Sequence, residues 1–336
     1  MQAFQENTGL FGKFLRTYSG GFVLAFHEIP AERLVEFVSC LRPVQVVPLS
    51  ELVQRSKRGK PTSGLMAITV DDGVGENVRS LSKACLAEGW PVTFYIATQY
   101  LDTGEAMAFQ WWRRLKPLLP RQRLTLKSGV LDLSQPGALE QLSRRMEGLW
   151  CSRRLEAYLP LIAELTEIAS RGHGISREAI RPEAPITWAE VEKLSGDEII
   201  QFESHGVSHA AMSALTDEEL NYEMRHSQQV VAEHTGHPCR HIAYPFGGWR
   251  SIGQRAAAAA ERFYDSAATM NPGHVDSANP WLLPRIPLYA KNSTLVARLK
   301  VVLNCHKIGG LASHASAVSP DRPLDDPQIV KPVDSG

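Results

Sequence analysis

Short apolar runs alternate with amphipathic segments along most of the chain. The runs at 65–70 and 92–97 are uninterrupted and rich in β-branched or aromatic residues, which is typical of buried strands. Between such runs, apolar residues recur at helical spacing, as at 32–41. Alternating strands and helices predict an α/β fold with parallel strands. The predicted strands are 21–26, 44–47, 65–70, 92–97, 199–203, 241–244, 264–268 and 283–289, and the predicted helices are 32–41, 78–88, 187–194, 217–235 and 255–262.

The stretch from about 105 to 182 has a different pattern. It carries periodic Leu and Trp, clustered arginines and few strand-like runs, so we predict a mostly helical insertion. The last residues, 316–336, are rich in Pro, Asp and Ser, which is typical of a disordered tail. The expected organisation is an N-terminal extension at 1–20, the main domain at 21–315 with its insertion, and this tail.

Composition narrows the functional class only slightly. The chain has 36 basic and 36 acidic residues and no long basic stripe, so nothing favours a nucleic-acid partner. Its five cysteines are scattered and form no CxxC pair, which is typical of reduced thiols in a globular protein.

The chain contains no apolar run long enough to cross a membrane, and its start does not resemble a signal peptide. We therefore expect a cytoplasmic protein without a transmembrane segment. A peripheral membrane contact through Leu10, Phe11, Phe14 and Leu15 is the alternative for the first residues.

Polar motifs come directly after three of the predicted strands. Asp71 and Asp72 follow the strand at 65–70, His205 follows the strand at 199–203, and a Pro-Phe-Gly-Gly turn follows the strand at 241–244. In parallel α/β barrels the carboxyl ends of the strands share one face, and that face carries the chemistry. These three segments are therefore expected to converge.

The residue types at these positions predict a metal site. His205 and His209 lie four residues apart, and two histidines with one carboxylate leave coordination positions open, as in catalytic zinc sites. A bound divalent metal brings the pKa of water to roughly 7, and the aspartate that does not bind the metal can accept its proton. Alternatively, the histidines are surface or core residues, and the Asp-Asp-Gly sequence is an ordinary turn.

Four strings in order, AITVDDGVGENV, ITWAEVEKL, FESHGVSHAAMSALT and IAYPFGGW, resemble the polysaccharide deacetylase family, the NodB-homology carbohydrate esterases. The resemblance extends from about 23 to 289, interrupted by the helical region, and LAFHEIP is similar to the first strand of many members. It implies a distorted (β/α) barrel with fewer than eight strands, about seven, all parallel.

The resemblance also implies residue roles. Asp72, His205 and His209 would bind the metal, and Asp71 would be the catalytic base. Zn²⁺ suits this donor set best, with cobalt, nickel and manganese as alternatives.

The Tyr244-Pro245-Phe246 segment would line the substrate groove. The backbone amide of Phe246 would help to stabilise the oxyanion of the tetrahedral intermediate.

Two family positions depart from the expected pattern. Ala243 stands where the family has an arginine that braces the catalytic aspartate, and Arg285 is the candidate to supply this charge, unless it is a surface or structural arginine. The late general-acid histidine has no clear match; His306 and His314 are nearest by position, and His27 at the end of the first strand is the other candidate.

Together these observations predict a metal-dependent N-deacetylase, a hydrolase of carbon–nitrogen bonds that releases acetate from N-acetylated sugars or glycan precursors during glycan biosynthesis. One alternative is a metal-dependent amidohydrolase that acts on a non-sugar amide or a cyclic imide. The other is a catalytically weak or inactive carbohydrate-binding member of the family.

Overall fold

The computed structural model describes residues 20–151, 155–275 and 279–305. The predictions for the N-terminal extension, the C-terminal tail, His306 and His314 lie outside these residues. Among the described helices, none is long and apolar enough to cross a membrane.

The described chain divides into two compact units. The first is formed by 20–105 together with 184–305, and the second by 106–183. Ten strands occur in the described residues: β1 Phe22–Phe26, β2 Gln45–Val46, β3 Leu65–Val70, β4 Val92–Ile96, β5 Arg123–Leu126, β6 Gly129–Asp132, β7 Ile200–Ser204, β8 His241–Ala243, β9 Ser266–Ala268 and β10 Ile286–Pro287.

The first unit contains one parallel sheet with the strand order β10-β1-β3-β4-β7-β8-β9, and the short β2 also pairs with β3. The segment 283–287 pairs on both sides of the opening in this sheet. Leu283, before β10, bridges to Ala268 in β9, and Ile286 in β10 pairs with Leu24 in β1. Seven parallel strands in the main order of this curled sheet confirm the predicted distorted barrel.

The helices lie between the strands, as the alternating pattern predicted. They are α1 Ala31–Cys40, α2 Leu49–Lys57, α3 Gly75–Glu88, α4 Thr98–Thr103, α5 Ala108–Leu115, α6 Ala138–Cys151, α7 Leu155–His173, α8 Arg177–Ile180, α9 Trp188–Leu194, α10 Asp217–Thr235, α11 Trp249–Ile252, α12 Arg255–Glu261 and α13 Thr294–Cys305. Helix α10 begins with a capping box between Thr216 and Glu219 and ends at Gly236, which has a positive φ of 70°. Both features satisfy backbone groups that a helix end leaves unpaired.

Strand periodicity separates two apolar layers in the first unit. In β3, Met66, Ile68 and Val70 pack in the outer layer, between the strands and the helices, whereas Ala67 belongs to an inner cluster. Successive side chains of a strand point to opposite faces, so every second residue of each barrel strand lines the interior. This alternation decides which polar side chains reach the site.

The second unit has its own core, which includes Trp112, Leu142, Met146 and Leu165. It contains helices α5 to α8 and an antiparallel hairpin of β5 and β6. The hairpin was not predicted, because each of its strands is only four residues long and lies in a stretch whose apolar pattern is mostly helical.

Candidate active site

Three residues in unusual backbone conformations mark one end of the barrel. Asp72, His209 and Phe246 have φ angles of 76°, 54° and 62°, and among the described residues they are the only non-glycine residues with positive φ. Such conformations cost free energy and cluster at functional sites, because only the surrounding structure can impose them. All three belong to segments that the sequence pattern expected to converge.

Asp71 lies in the barrel interior, directly after β3, and forms a two-point ion pair with Arg285. Oδ1 accepts from Nη1 at 2.7 Å and Oδ2 accepts from Nη2 at 2.8 Å, and both side chains are buried. Arg285 also donates to the carbonyl of Thr269 at 2.9 Å and to the hydroxyl of Thr69 at 3.1 Å. Its guanidinium carbon lies 5.5 Å from the centre of the Tyr95 ring. The arginine is therefore fixed from several sides.

The pKa of Asp71 reflects two opposing effects. Burial disfavours the charged carboxylate and raises its pKa, but the attraction and hydrogen bonds of Arg285 outweigh burial. The pKa of Asp71 consequently lies below its ordinary value, and the carboxylate is ionised at neutral pH. An ionised carboxylate at this position can accept a proton.

Asp72 lies beside the two histidines. Its Oδ1 is 3.6 Å from Nε2 of His205 and 3.4 Å from Nε2 of His209. Burial raises the pKa of Asp72, but the two imidazoles lower it well below its ordinary value. Burial alone would lower the pKa of His205, but the two aspartates raise it, whereas for His209 burial prevails and the pKa is lowered.

The backbone carbonyl of Ala243, at the position where the family motif has an arginine, orients His205. Nδ1 of His205 lies 2.7 Å from the carbonyl oxygen of Ala243. A carbonyl can only accept, so Nδ1 donates to it, and Nε2 is the ring nitrogen that faces Asp72. The ring of His209 packs edge-on against Phe246, with centroids 4.8 Å apart. The two imidazoles thus contact the last residue of β8 and the segment that follows it.

The donor set of Asp72, His205 and His209 fits a divalent metal. One ligand atom from each residue lies within 4.8 Å of the other two, and all three residues are buried. Oδ2 of Asp72 is buried and has no hydrogen-bond partner among the described residues, which is costly for a carboxylate unless a cation completes its environment. Two imidazoles and one carboxylate are a common ligand set of catalytic zinc sites.

His27 lies at the edge of the site, after β1. Its Nε2 is 3.7 Å from Oδ2 of Asp71, and its side chain is partly exposed. Asn77 in α3 holds this loop, because its side chain accepts from the N–H of Ile29 at 3.0 Å and donates to the carbonyl of His27 at 2.9 Å. The structure thus brings Asp71, Arg285 and His27 together.

The predicted substrate-groove residues differ in their surroundings. The side chain of Tyr244 lies in the outer apolar layer and donates to the carbonyl of Trp281 at 2.8 Å, so only its backbone can face a ligand. Pro245 is buried and Phe246 is partly exposed beside His209. Trp249, three residues further, is 54% exposed.

Sequence reasoning missed two side chains that hold the site loops. Asn77 fixes the loop of His27, and Glu223 accepts hydrogen bonds from the loop between the two histidines. For Glu223 a signal existed: it is a carboxylate on the buried face of α10, beside Leu220 and Met224. A charged residue on an apolar stripe indicates a specific buried partner.

Comparisons with known proteins agree with this geometry. The sequence profile of the polysaccharide deacetylase family matches residues 58–262, which include both aspartates and both histidines of the site but neither His27 nor Arg285. Among curated proteins, none matches the chain significantly.

Solved structures of deacetylases share the fold. One is a deacetylase from Streptococcus pyogenes in complex with acetate, with 12% identity and a TM-score of 0.55 over 86% of this chain and 100% of that chain. The deacetylase domain of BpsB from Bordetella bronchiseptica has 12% identity and a TM-score of 0.50, over 80% of this chain and 95% of that one. IcaB from Ammonifex degensii has 12% identity and a TM-score of 0.50, over 84% and 97%.

Because these structures are only 12% identical to this chain, their likeness shows the fold alone. The assignment to a family rests on the profile match. It confirms the resemblance that the motifs indicated. This chain belongs to the polysaccharide deacetylase family: it is a hydrolase of carbon–nitrogen bonds other than peptide bonds and a deacetylase of acetylated glycans.

Proposed function

We propose that this chain is a metal-dependent N-deacetylase, which removes acetyl groups from N-acetylated sugars or glycan precursors and leaves a free amine. The observation that carries the proposal is that the adjacent Asp71 and Asp72 contact different partners. Asp71 is bonded at both oxygens by Arg285, and Asp72 lies with His205 and His209 in a buried three-ligand group. A fixed ionised base beside a group of metal ligands suits hydrolysis of an amide.

In the proposed site Asp72, His205 and His209 would hold the metal, and Zn²⁺ suits the donor set best. When bound, a divalent cation supplies Lewis-acid polarisation of water and of the acyl oxygen.

Asp71 accepts the proton of the water that attacks the acetyl carbon. Each carboxylate oxygen has two lone pairs, so the bonds to Arg285 leave acceptor capacity on Asp71. Arg285 keeps the carboxylate ionised and in place before the reaction.

The backbone N–H of Phe246 donates to the oxyanion of the tetrahedral intermediate. Its positive φ of 62° is the strained conformation that points this segment toward His209. Tyr244 and Pro245 contribute backbone to the same wall of the groove.

His27 is the proposed proton donor to the leaving nitrogen. The side chain of His27 is partly exposed, and its Nε2 lies 3.7 Å from Oδ2 of Asp71. When the carbon–nitrogen bond breaks, the amine takes a proton from His27 and the acyl group leaves as acetate.

The direct test is acetate release from N-acetylglucosamine oligomers by protein that is first stripped with a chelator and then reloaded with Zn²⁺. We expect no turnover after stripping and recovered turnover after reloading. Full activity of protein shown to be metal-free would contradict the metal dependence. Hydrolysis of a cyclic imide without acetate release from sugars would instead identify the amidohydrolase alternative.

A further inference from the structure

The loop between the two histidines, residues 206–208, has a complete set of hydrogen bonds although it lies outside helices and strands. Its three carbonyls accept from one neighbouring segment. The donors are the backbone N–H groups of Thr98 and Gln99, at 3.2 and 3.1 Å, and the hydroxyl of Tyr100, at 3.2 Å. Buried backbone groups need such partners, and here the first three residues of α4 provide them.

The amide side of this loop depends mainly on one carboxylate. The N–H of Gly206 donates to Oγ of Ser204 at 3.1 Å. The N–H of Val207 donates to Oε2 of Glu223 at 2.6 Å, and that of Ser208 donates to Oε2 and Oε1 at 3.0 and 3.3 Å. The hydroxyl of Ser208 also donates to Oε1 of Glu223. Glu223 is therefore the acceptor for two of the three loop amides and for the loop hydroxyl.

Glu223 is packed tightly against the loop. Its side chain is 3% exposed, and Gly206 has a positive φ of 80°. A Cβ added at Gly206 would lie 2.9 Å from Oε2 of Glu223, so a side chain at this position would displace the carboxylate. Ser227, one turn later in α10, bonds the hydroxyl of Ser204 at 2.7 Å and thereby supports the remaining loop amide.

We propose that Glu223 is a positioning residue for the metal site. By accepting from the loop that joins His205 to His209, it fixes the distance and relative orientation of the two imidazoles before the metal binds. The bonds are charge-assisted and buried, so they are stronger than ordinary backbone hydrogen bonds. They also help to impose the positive φ of His209, a conformation that non-glycine residues adopt only rarely.

This inference rests on the proposed function, because it concerns the ligands of the proposed metal. It adds a residue outside the proposed site, since Glu223 acts on the histidine loop and touches neither metal nor substrate. Partners that orient metal ligands from outside typically contribute about 10–100-fold to metal affinity.

The test is Glu223→Gln, which keeps the size of the side chain but turns an NH₂ donor toward N–H and O–H donors. Zn²⁺ affinity is measured by competition with a chromophoric chelator, and site geometry by the absorption spectrum of bound Co²⁺. We expect the dissociation constant to rise by about 10–100-fold, with an altered Co²⁺ spectrum. The matched control is Glu218→Gln, the same substitution at an exposed position of the same helix, which should behave as the parent.

Thermal unfolding of the metal-free proteins identifies the variants that fold. Folded Glu223→Gln with the affinity and Co²⁺ spectrum of the parent would overturn the inference and leave the proposed function intact. Failure of the parent itself to bind metal would overturn both. If Glu223→Gln does not fold, Ser208→Ala decides instead: it removes one bond to the same carboxylate, so weaker metal binding supports the inference and unchanged binding overturns it.

Discussion

Asp71 and Asp72 are neighbours in the chain but lie in opposite chemical surroundings. Asp71 has a permanent cation, because Arg285 bonds both of its oxygens. Asp72 faces two imidazole nitrogens with one oxygen, and its other oxygen has no hydrogen-bond partner in the described part of the chain. The protein itself satisfies both oxygens of Asp71, whereas one oxygen of Asp72 is left for the proposed metal. In the proposed mechanism, this difference in partners makes one aspartate the base and the other a metal ligand.

The backbone explains how two consecutive side chains reach one site. Asp71 continues the alternation of β3 and shares the interior face with Ala67 and Thr69. Ordinary extended backbone would place Asp72 on the opposite face. Its φ of 76° ends the strand and allows it to meet His205 and His209.

The largest loss of metal binding and activity is expected when His205 or His209 is removed. His205→Ala and His209→Ala each delete one of three ligands, so metal affinity should fall by more than the roughly 10–100-fold that an orienting partner contributes. Acetate release should fall with it, whereas Asp71 keeps its arginine. Metal content after dialysis measures this, and unchanged stoichiometry in both variants would remove the proposed site.

Asp71→Asn separates the base from the ligands. The amide is isosteric but cannot accept the proton, so turnover should fall by about 10²–10⁴-fold. Metal stoichiometry should stay at the parental value, because Asp72 and the histidines are untouched. A variant with parental kcat would show that Asp71 is not the base.

His27→Gln tests the other side of Asp71. Loss of the proton donor should lower kcat by about 10²-fold, at the lower end of the range for general acid catalysis, since water can reach this partly exposed position. KM and metal content should change little. Parental kcat across the pH range would exclude His27 as the donor.

Of these substitutions, Arg285→Gln should change turnover at alkaline pH the least. It should clearly change the pH dependence of the activity. Burial raises the pKa of Asp71 and Arg285 lowers it, so loss of the arginine leaves burial dominant and the pKa rises. The base acts only when ionised, and activity is lost as the pH falls through that pKa. The acidic limb of kcat/KM should therefore move to higher pH.

Breaking a buried ion pair also destabilises a protein, by about 3–5 kcal/mol. Arg285→Lys serves as the matched variant, because it keeps the charge and loses only the two-point geometry. Its acidic limb should lie between those of the parent and Arg285→Gln. An acidic limb that coincides with the parent in both variants would contradict the role of Arg285.

Most of the barrel follows from local patterns. Strand β3 and helix α10 have the bounds that the sequence predicted, 65–70 and 217–235. A buried run that ends in Asp-Asp-Gly and a helix bounded by a capping box and a glycine are both local signals.

The last strand is shorter than predicted, Ile286–Pro287 within 283–289. The segment changes its pairing partner there, from β9 at Leu283 to β1 at Ile286. No local pattern encodes such a change of partner.

By itself the sequence determined the family, the barrel and the segments that carry both aspartates and both histidines, because those signals are contiguous in the chain. Only the tertiary structure decided what surrounds them. Arg285 meets Asp71 across 214 residues, and Glu223 meets the histidine loop through a helix packed on the barrel. Both contacts depend on which face of a strand or helix is turned inward and on how the barrel closes. These are properties of the whole packed chain.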